Sequence, residues 1–153
     1  MAEDFNIRIA SPRKPARRRN IVVSFDYDGT TVFPIEPIEY DEDGEAVSEL
    51  NPEAEELMRM HASQGDKVVI VTCRPPDAIG SVWKMVKDNG LPVEEVYATA
   101  HTDKSPTLIS IGASIHYDDS SFRINEIRRA MGPAIKVYYT HEMSENLNAG
   151  GGS

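Results

Sequence analysis

Disulfides, membrane spans and a basic body are what this chain most conspicuously lacks. Its single cysteine, Cys73, cannot form an internal disulfide, so a reducing, cytoplasmic setting is expected. No apolar run approaches the ~18 residues of a membrane-spanning helix. The arginine-containing start has no apolar stretch of the kind found in secretory signals, and no membrane partner is expected. The formal charge is −9, yet Arg8, Arg13, Lys14, Arg17, Arg18 and Arg19 all fall before residue 20. The rest is therefore strongly acidic, which does not suit a general nucleic-acid binder that must displace counterions with a basic face. "PRKPARRRN" reads as a solvated, proline-containing arm, with a phosphate-contacting arm as the alternative.

What remains is one domain's worth of chain, 153 residues with 40 % hydrophobic content, enough to bury a sizeable core. Its apolar periods alternate between strand and helix. "NIVVSF", "KVVIVT", "VEEVYAT", "GASIHYD" and "AIKVYYT" read as five short strands. Between them, "NPEAEELMRMHASQG" predicts a helix with Asn51 as cap, Pro52 in the first turn and Gly65 as stop. Ala54, Leu57, Met58 and His61 form its buried stripe. "DAIGSVWKMVKDNG" predicts a second helix, with Ile79, Val82, Trp83 and Val86 on one face. "SSFRINEIRRAMGP" predicts a third, stopped by Gly132 and Pro133. Strands separated by helices imply parallel pairing, hence a doubly wound α/β sheet over residues 20–140. Residues 1–19 form the arm, and 141–153, with "SENLNAGGGS", read as a flexible tail.

Ligands of such sheets bind beyond the carboxyl ends of the strands, and the polar residues gather there. Asp26 and Asp28 follow the first strand in "FDYDGT". Thr72, Cys73 and Arg74 end the second, Lys104 follows the third, and Asp118 and Asp119 end the fourth. Carboxylates crowded on one rim repel one another unless a cation is present, and oxygen ligands of this kind select Mg²⁺. Asp26 and Asp28 stand two apart in an extended stretch, so both can reach one substrate. One suits nucleophilic attack on phosphorus, the other proton transfer. Gly29 permits the turn that follows and lets backbone N–H groups approach a phosphoryl oxygen. Thr72 offers a hydroxyl, and Lys104 and Arg74 offer positive charge to a phosphate.

"DYDGT", "VTCR", a lysine and "YDD", in that order, resemble the four signatures of the haloacid dehalogenase superfamily of phosphatases. The resemblance implies a mostly parallel five-stranded sheet ordered 5-4-1-2-3 and hydrolysis of phosphate monoesters through an aspartyl phosphate. It makes Asp26 the nucleophile and Asp28 the general acid/base. Thr72 and Lys104 become phosphate ligands. Asp118 and Asp119 hold Mg²⁺ with Asp26 and the main-chain carbonyl of Asp28. The second aspartate argues against dehalogenation, since members acting on carbon–halogen bonds lack it.

Members of the superfamily choose substrates with an inserted cap domain. Here residues 33 to 51 fit only a flap and hairpin, and 99 to 113 only a loop and short helix, so no cap is expected. Among capless members the chain resembles the phosphatase domain of phage polynucleotide kinase-phosphatase. That domain also pairs its second-signature hydroxyl with an arginine two positions on, as Thr72 and Arg74 are paired, and ends its fourth strand in adjacent aspartates. It has serine where this chain has Thr72. No "GxxxxGK[ST]" occurs, so no kinase activity is expected. The resemblance implies a nucleic-acid or nucleotide 3′-phosphate as substrate. The alternative is a small-molecule phosphatase whose lid comes from a second copy of the chain. A receiver-like signalling domain also combines acids, threonine and lysine. It needs its aspartate after the third strand, however, and "YATAH" has none.

Other features have plainer readings. "EYDEDGEAVSEL" imitates a calcium loop but places Leu50 where the bidentate glutamate should fall, so a hairpin turned at Asp43–Gly44 is expected. No arginine follows Cys73 at the spacing of a thiol phosphatase, which makes it a strand-end residue beside the phosphate site. His61 and Trp83 read as core. His101, His116 and His141 lack metal-ligand spacing, and only His116 flanks the acids.

Overall fold

The computed structural model describes residues 20–151. The basic arm, 1–19, lies outside the described residues. Five strands form the main sheet: β1 (Val22–Phe25), β4 (Lys67–Thr72), β5 (Val93–Ala98), β6 (Ala113–Asp118) and β7 (Lys136–Tyr139). Their order is β5-β4-β1-β6-β7, with all pairs parallel. Counting only these five strands, this is the expected 5-4-1-2-3. Parallel pairing requires crossovers, supplied by α1 (Pro52–Ser63), α2 (Gly80–Asp88), α3 (Ser105–Ile111) and α4 (Ser121–Met131).

With helices on both faces, central strands have no solvated side. In β4, Val68 and Ile70 join one apolar cluster with Leu57, Met58 and Val82, while Val69 and Val71 join another with Leu108, Ile124 and Ile127. This explains the uninterrupted run of apolar residues in "VVIV". The buried stripe of α1 is the expected one: Ala54, Leu57, Met58 and His61. Asn51 caps that helix through its side-chain oxygen, and its amide donates to the Thr30 carbonyl at 2.9 Å. The cap thus ties α1 to the turn after β1. His61 is a core histidine, lying against the Tyr117 hydroxyl at 3.0 Å and Asp66 at 3.2 Å. Trp83 is half-buried and packs against the same cluster. The second helix begins at Gly80, later than expected, because Pro75 and Pro76 lead into a 3₁₀ turn, Pro76–Ala78.

Between β1 and α1 the chain makes an antiparallel hairpin, β2 (Val32–Pro34) with β3 (Ser48–Leu50). Its tip turns at Asp43–Gly44 as expected: the Asp41 carboxylate accepts from the N–H groups of Asp43 and Glu45, and Gly44 has φ +81°. Among the described residues no cap domain is inserted, and no helix is long and apolar enough to cross a membrane.

The segment expected as a flexible tail is a helix, α5 (Met143–Gly151). Met143 and Leu147, one turn apart, present an apolar pair to the cluster over α1, and Met143 is fully buried. The glycines and asparagines of the segment conceal that pair in the sequence. Replacing Met143 with Ala should lower stability by about 2–4 kcal/mol, the range for emptying a buried methionine site. Urea denaturation followed by far-UV circular dichroism measures it, and an unchanged midpoint would show that α5 is not docked.

Candidate active site

Backbone alternation sorts the residues after β1. Phe25 and Tyr27 enter the core, while Asp26 and Asp28 face the other way. The Tyr27 carbonyl then accepts from the N–H groups of Thr30, Thr31 and Val32 at 3.3, 2.9 and 3.1 Å, which folds the chain sharply back. Gly29 sits in that turn at φ +84°, and a Cβ there would lie 2.3 Å from Asp119 Oδ2. Only glycine allows both the turn and the close approach of the second acidic segment. The Thr31 hydroxyl donates to the Asp26 carbonyl at 2.6 Å, fixing the backbone behind the carboxylate.

Lys104 is the centre of the cluster. It is fully buried, and its ammonium donates to Asp26 Oδ1 at 2.8 Å and to Asp118 Oδ2 at 2.7 Å. Burial opposes its charge, but the two carboxylates outweigh burial and hold its pKa above the ordinary lysine value. Asp26 goes the other way: burial dominates and, with the negative charge of Asp118, raises its pKa well above the carboxylate range despite Lys104. Burial also acts on Asp118, but hydrogen bonding from His116 and the charge of Lys104 outweigh it and hold that carboxyl low. One ammonium between two carboxylates leaves negative charge over, and exposed Asp119 adds more. Carboxylate oxygens of Asp26, Asp118 and Asp119 lie within 4.8 Å of one another, a spacing that can hold one metal ion. All-oxygen donors of this kind suit Mg²⁺.

A pocket of about 200 Å³ opens over this cluster, lined by Asp26, Asp28, Thr72, Cys73, Lys104, Asp118 and Asp119. Of the expected residues, Gly29 stands just behind Asp119, and Arg74 is placed differently. Its guanidinium makes two parallel bonds to Asp28, Nε to Oδ2 and Nη2 to Oδ1, both 2.9 Å, and pairs with Glu45 of the hairpin at 3.0 Å. Asp77, nearby in sequence, is not the acid it bonds. Arg74 thereby links the hairpin to the turn after β1, and its charge is held beside Asp28.

The sequence reading passed over two residues. Ser120 and Arg123 also line the pocket. Ser120 caps α4 and Arg123 is the residue whose N–H it accepts, so a capping pattern after the acid pair was the available signal. His116 is fully buried, 2.9 Å from Asp118 Oδ2 through Nε2 and 2.6 Å from Ser24 Oγ through Nδ1. Burial lowers its pKa and keeps the imidazole neutral. A neutral ring here donates from Nε2 to Asp118 and accepts from Ser24 at Nδ1, so it orients Asp118 from behind. It cannot reach substrate. The loop after β5 carries strain: Ala100 and His101 have φ +53° and +64°, each costing about 1–2 kcal/mol for a non-glycine residue. That loop is held by N–H bonds from Thr99, Ala100 and His101 to the carbonyls of Thr72, Arg74 and Cys73.

Solved structures share this arrangement of strands and helices. A chain of the Pnkp1/Rnl/Hen1 complex superposes with TM-score 0.60 at 16 % identity, over 78 % of this chain and 46 % of that one. The present chain thus spans about half of that neighbour's length. The fold is haloacid dehalogenase-like. The cobalt-bound deoxy-D-mannose-octulosonate 8-phosphate phosphatase of Haemophilus influenzae matches with TM-score 0.53 at 16 % identity, over 89 % and 92 % of the two chains. The 3-deoxy-D-manno-octulosonate 8-phosphate phosphatase of Moraxella catarrhalis, in complex with magnesium, phosphate and KDO, matches with TM-score 0.53 at 15 % identity over 89 % and 90 %. No family model and no curated protein sequence matches the chain. At these identities, haloacid dehalogenase-like architecture is what the likeness demonstrates.

The raised pKa of Asp26 makes a stability prediction. Its folded-state value lies above the unfolded one, so its ionisation weakens the metal-free fold as pH rises above the ordinary carboxylate value of about 4. In chelator, Asp26→Asn should therefore melt higher than the wild type, with a gap that widens between pH 4 and pH 8. Mg²⁺ should narrow or reverse that gap by stabilising only the wild type. A gap independent of pH would mean that the Asp26 charge costs the fold nothing.

Proposed function

We propose that the chain is a Mg²⁺-dependent phosphomonoesterase that works through an aspartyl phosphate on Asp26, with nucleotide or nucleic-acid 3′-phosphates as its leading substrates. The observation that carries this reading is the buried Asp26 carboxylate, held by Lys104 at 2.8 Å at the floor of a pocket ringed by Asp118 and Asp119. Asp26 Oδ attacks phosphorus, the ester P–O bond breaks, and Asp28 protonates the leaving alkoxide. Asp28 then takes a proton from water, whose oxygen attacks the same phosphorus. The bond from phosphorus to Asp26 breaks, and inorganic phosphate leaves. Asp26, Asp118 and Asp119, with the Asp28 carbonyl, would hold Mg²⁺, which when bound supplies neutralisation of phosphoryl charge.

Each remaining residue has a share. Lys104 favours the ionised form of Asp26 against burial and places positive charge beside the phosphoryl oxygens. The Thr72 hydroxyl and the N–H groups following Asp26 can donate to those oxygens. Asp28 has both carboxylate oxygens engaged by Arg74, so proton transfer to the leaving group requires that pair to open as substrate enters. Opening frees the Arg74 guanidinium for the phosphate, which reconciles its position with the expected role.

The nucleic-acid preference draws support from the Thr72–Arg74 and Asp118–Asp119 pattern and from the likeness to a chain of the Pnkp1/Rnl/Hen1 complex. A second reading, a small-molecule phosphatase lidded by another copy, draws support from the hairpin. Phe33, Ile35, Ile38, Tyr40 and Val47 are all exposed there, an apolar face that a second copy could cover.

A hydrolysis panel of 3′- and 5′-phosphorylated nucleotides and oligonucleotides beside sugar phosphates tests both. Turnover should need Mg²⁺, fail after chelation, and fall below about a thousandth in Asp26→Asn, as loss of several kcal/mol of barrier lowering requires. Ca²⁺, which demands more oxygen ligands, should not replace Mg²⁺. Preference for 3′-phosphorylated nucleotides supports the first reading. Preference for sugar phosphates supports the second, and full activity in chelator contradicts the metal assignment.

A further inference from the structure

We infer that Arg123 and Phe122, at the start of α4, form the leaving-group subsite, and that it takes a nucleotide: the base on the ring of Phe122, the neighbouring anionic phosphate on Arg123. The inference rests on the phosphatase reading of the pocket and adds the residues that would choose the substrate.

The pocket over Asp26 holds about 200 Å³, below the ~300–1,000 Å³ of sites that engulf a whole small-molecule ligand. It admits a phosphoryl group and a cation. The remainder of any substrate must lie on the rim, so the rim decides specificity.

Among the described residues, Lys104 and Arg123 line the pocket and Arg74 stands beside Asp28 at its edge, and they differ in how their charge is met. Lys104 lies between Asp26 and Asp118, and Arg74 between Asp28 and Glu45, all within 3.0 Å. Arg123 is bonded instead to two backbone carbonyls, Thr102 at 3.2 Å and His101 at 3.3 Å, and its carboxylate neighbour Asp103 stands 3.8 Å away. Those carbonyls fix the guanidinium's direction without neutralising it. They belong to the loop whose residues Ala100 and His101 adopt left-handed backbone, so a costly conformation presents the oxygens that hold Arg123 at the wall.

Phe122 completes the arrangement. It is 67 % exposed, although a phenylalanine on the first turn of a helix gains nothing from water. The Arg123 guanidinium lies over its ring, 5.2 Å from the centroid. A planar aromatic surface beside a partly uncompensated guanidinium suits a ligand with a flat π-face and an anion a few bonds away. A nucleotide has both, and stacking on an exposed aromatic is how single-stranded ends are commonly held. A sugar phosphate has no such face.

The test compares kcat/KM for thymidine 3′,5′-bisphosphate with that for glycerol 2-phosphate, which lacks both ring and second anion. In Phe122→Ala the ratio of the two should fall about tenfold, chiefly through KM for the nucleotide, and Phe122→Trp should restore it. Arg123→Met should lower the advantage of the bisphosphate over thymidine 3′-monophosphate. A second readout needs no turnover: on the Asp26→Asn background, 2-aminopurine riboside 5′-monophosphate should be quenched on binding, and Phe122→Ala should abolish the quench. Should the wild type hydrolyse neither substrate, the phosphatase reading fails while the quench still decides the subsite. Equal losses on both substrates in Phe122→Ala, an unaltered quench, or no quench with Phe122 present would overturn the inference.

Discussion

A buried ammonium shared by two carboxylates governs this structure. Lys104 alone cannot balance Asp26 and Asp118, and Asp119 stands close enough to add a third negative charge. Charges of one sign are not gathered in a low-dielectric site without a compensating ion or a function that uses the imbalance. The opposite responses of the two buried acids follow from this competition. Asp118 has His116 and Lys104 to hold its charge, while Asp26 is left with the raised pKa. In the proposed reaction this oxygen, costly to ionise beside one lysine, would become the nucleophile once a cation joined Lys104 in meeting its charge.

The architecture serves that cluster. Parallel strands covered on both faces end at one edge, so residues remote in sequence converge. Lys104 is 78 residues from Asp26 and 14 from Asp118. The apolar clusters on the two faces of the sheet offset the cost of the acid cluster. Behind it, His116, Ser24 and the Thr31 hydroxyl meet the buried polar atoms that remain. Among the described residues there is no cap above it, and the tip of the hairpin is tied to the site through Glu45, Arg74 and Asp28.

Much of this was legible in the sequence because it is local. Unbroken apolar runs flanked by helical periods gave the parallel sheet, the stripe of α1 followed from the spacing of Ala54, Leu57, Met58 and His61, and Asp43–Gly44 marked the hairpin turn. The acids of the candidate site stood at strand ends and the lysine in the segment after the third strand, on the rim where the fold brings them together. What stayed hidden depends on contacts between distant segments. The Arg74–Asp28 pair spans 46 residues, and no spacing rule announces it. Arg123 reaches the pocket because its side chain bends toward a loop 21 residues earlier. In α5, two apolar residues among glycines and asparagines gain their helix from packing on α1 rather than from propensity.

The central claim is that Asp26 takes the phosphoryl group, and acid quenching tests it directly. Wild-type protein mixed with Mg²⁺ and a substrate bearing a ³²P-labelled 3′-phosphate, then quenched in acid within milliseconds, should retain label on the peptide that contains Asp26. Hydroxylamine should release that label, as it does from acyl phosphates, and the Asp26→Asn protein should carry none. Turnover without trapped label, or label that persists in Asp26→Asn, would contradict the account.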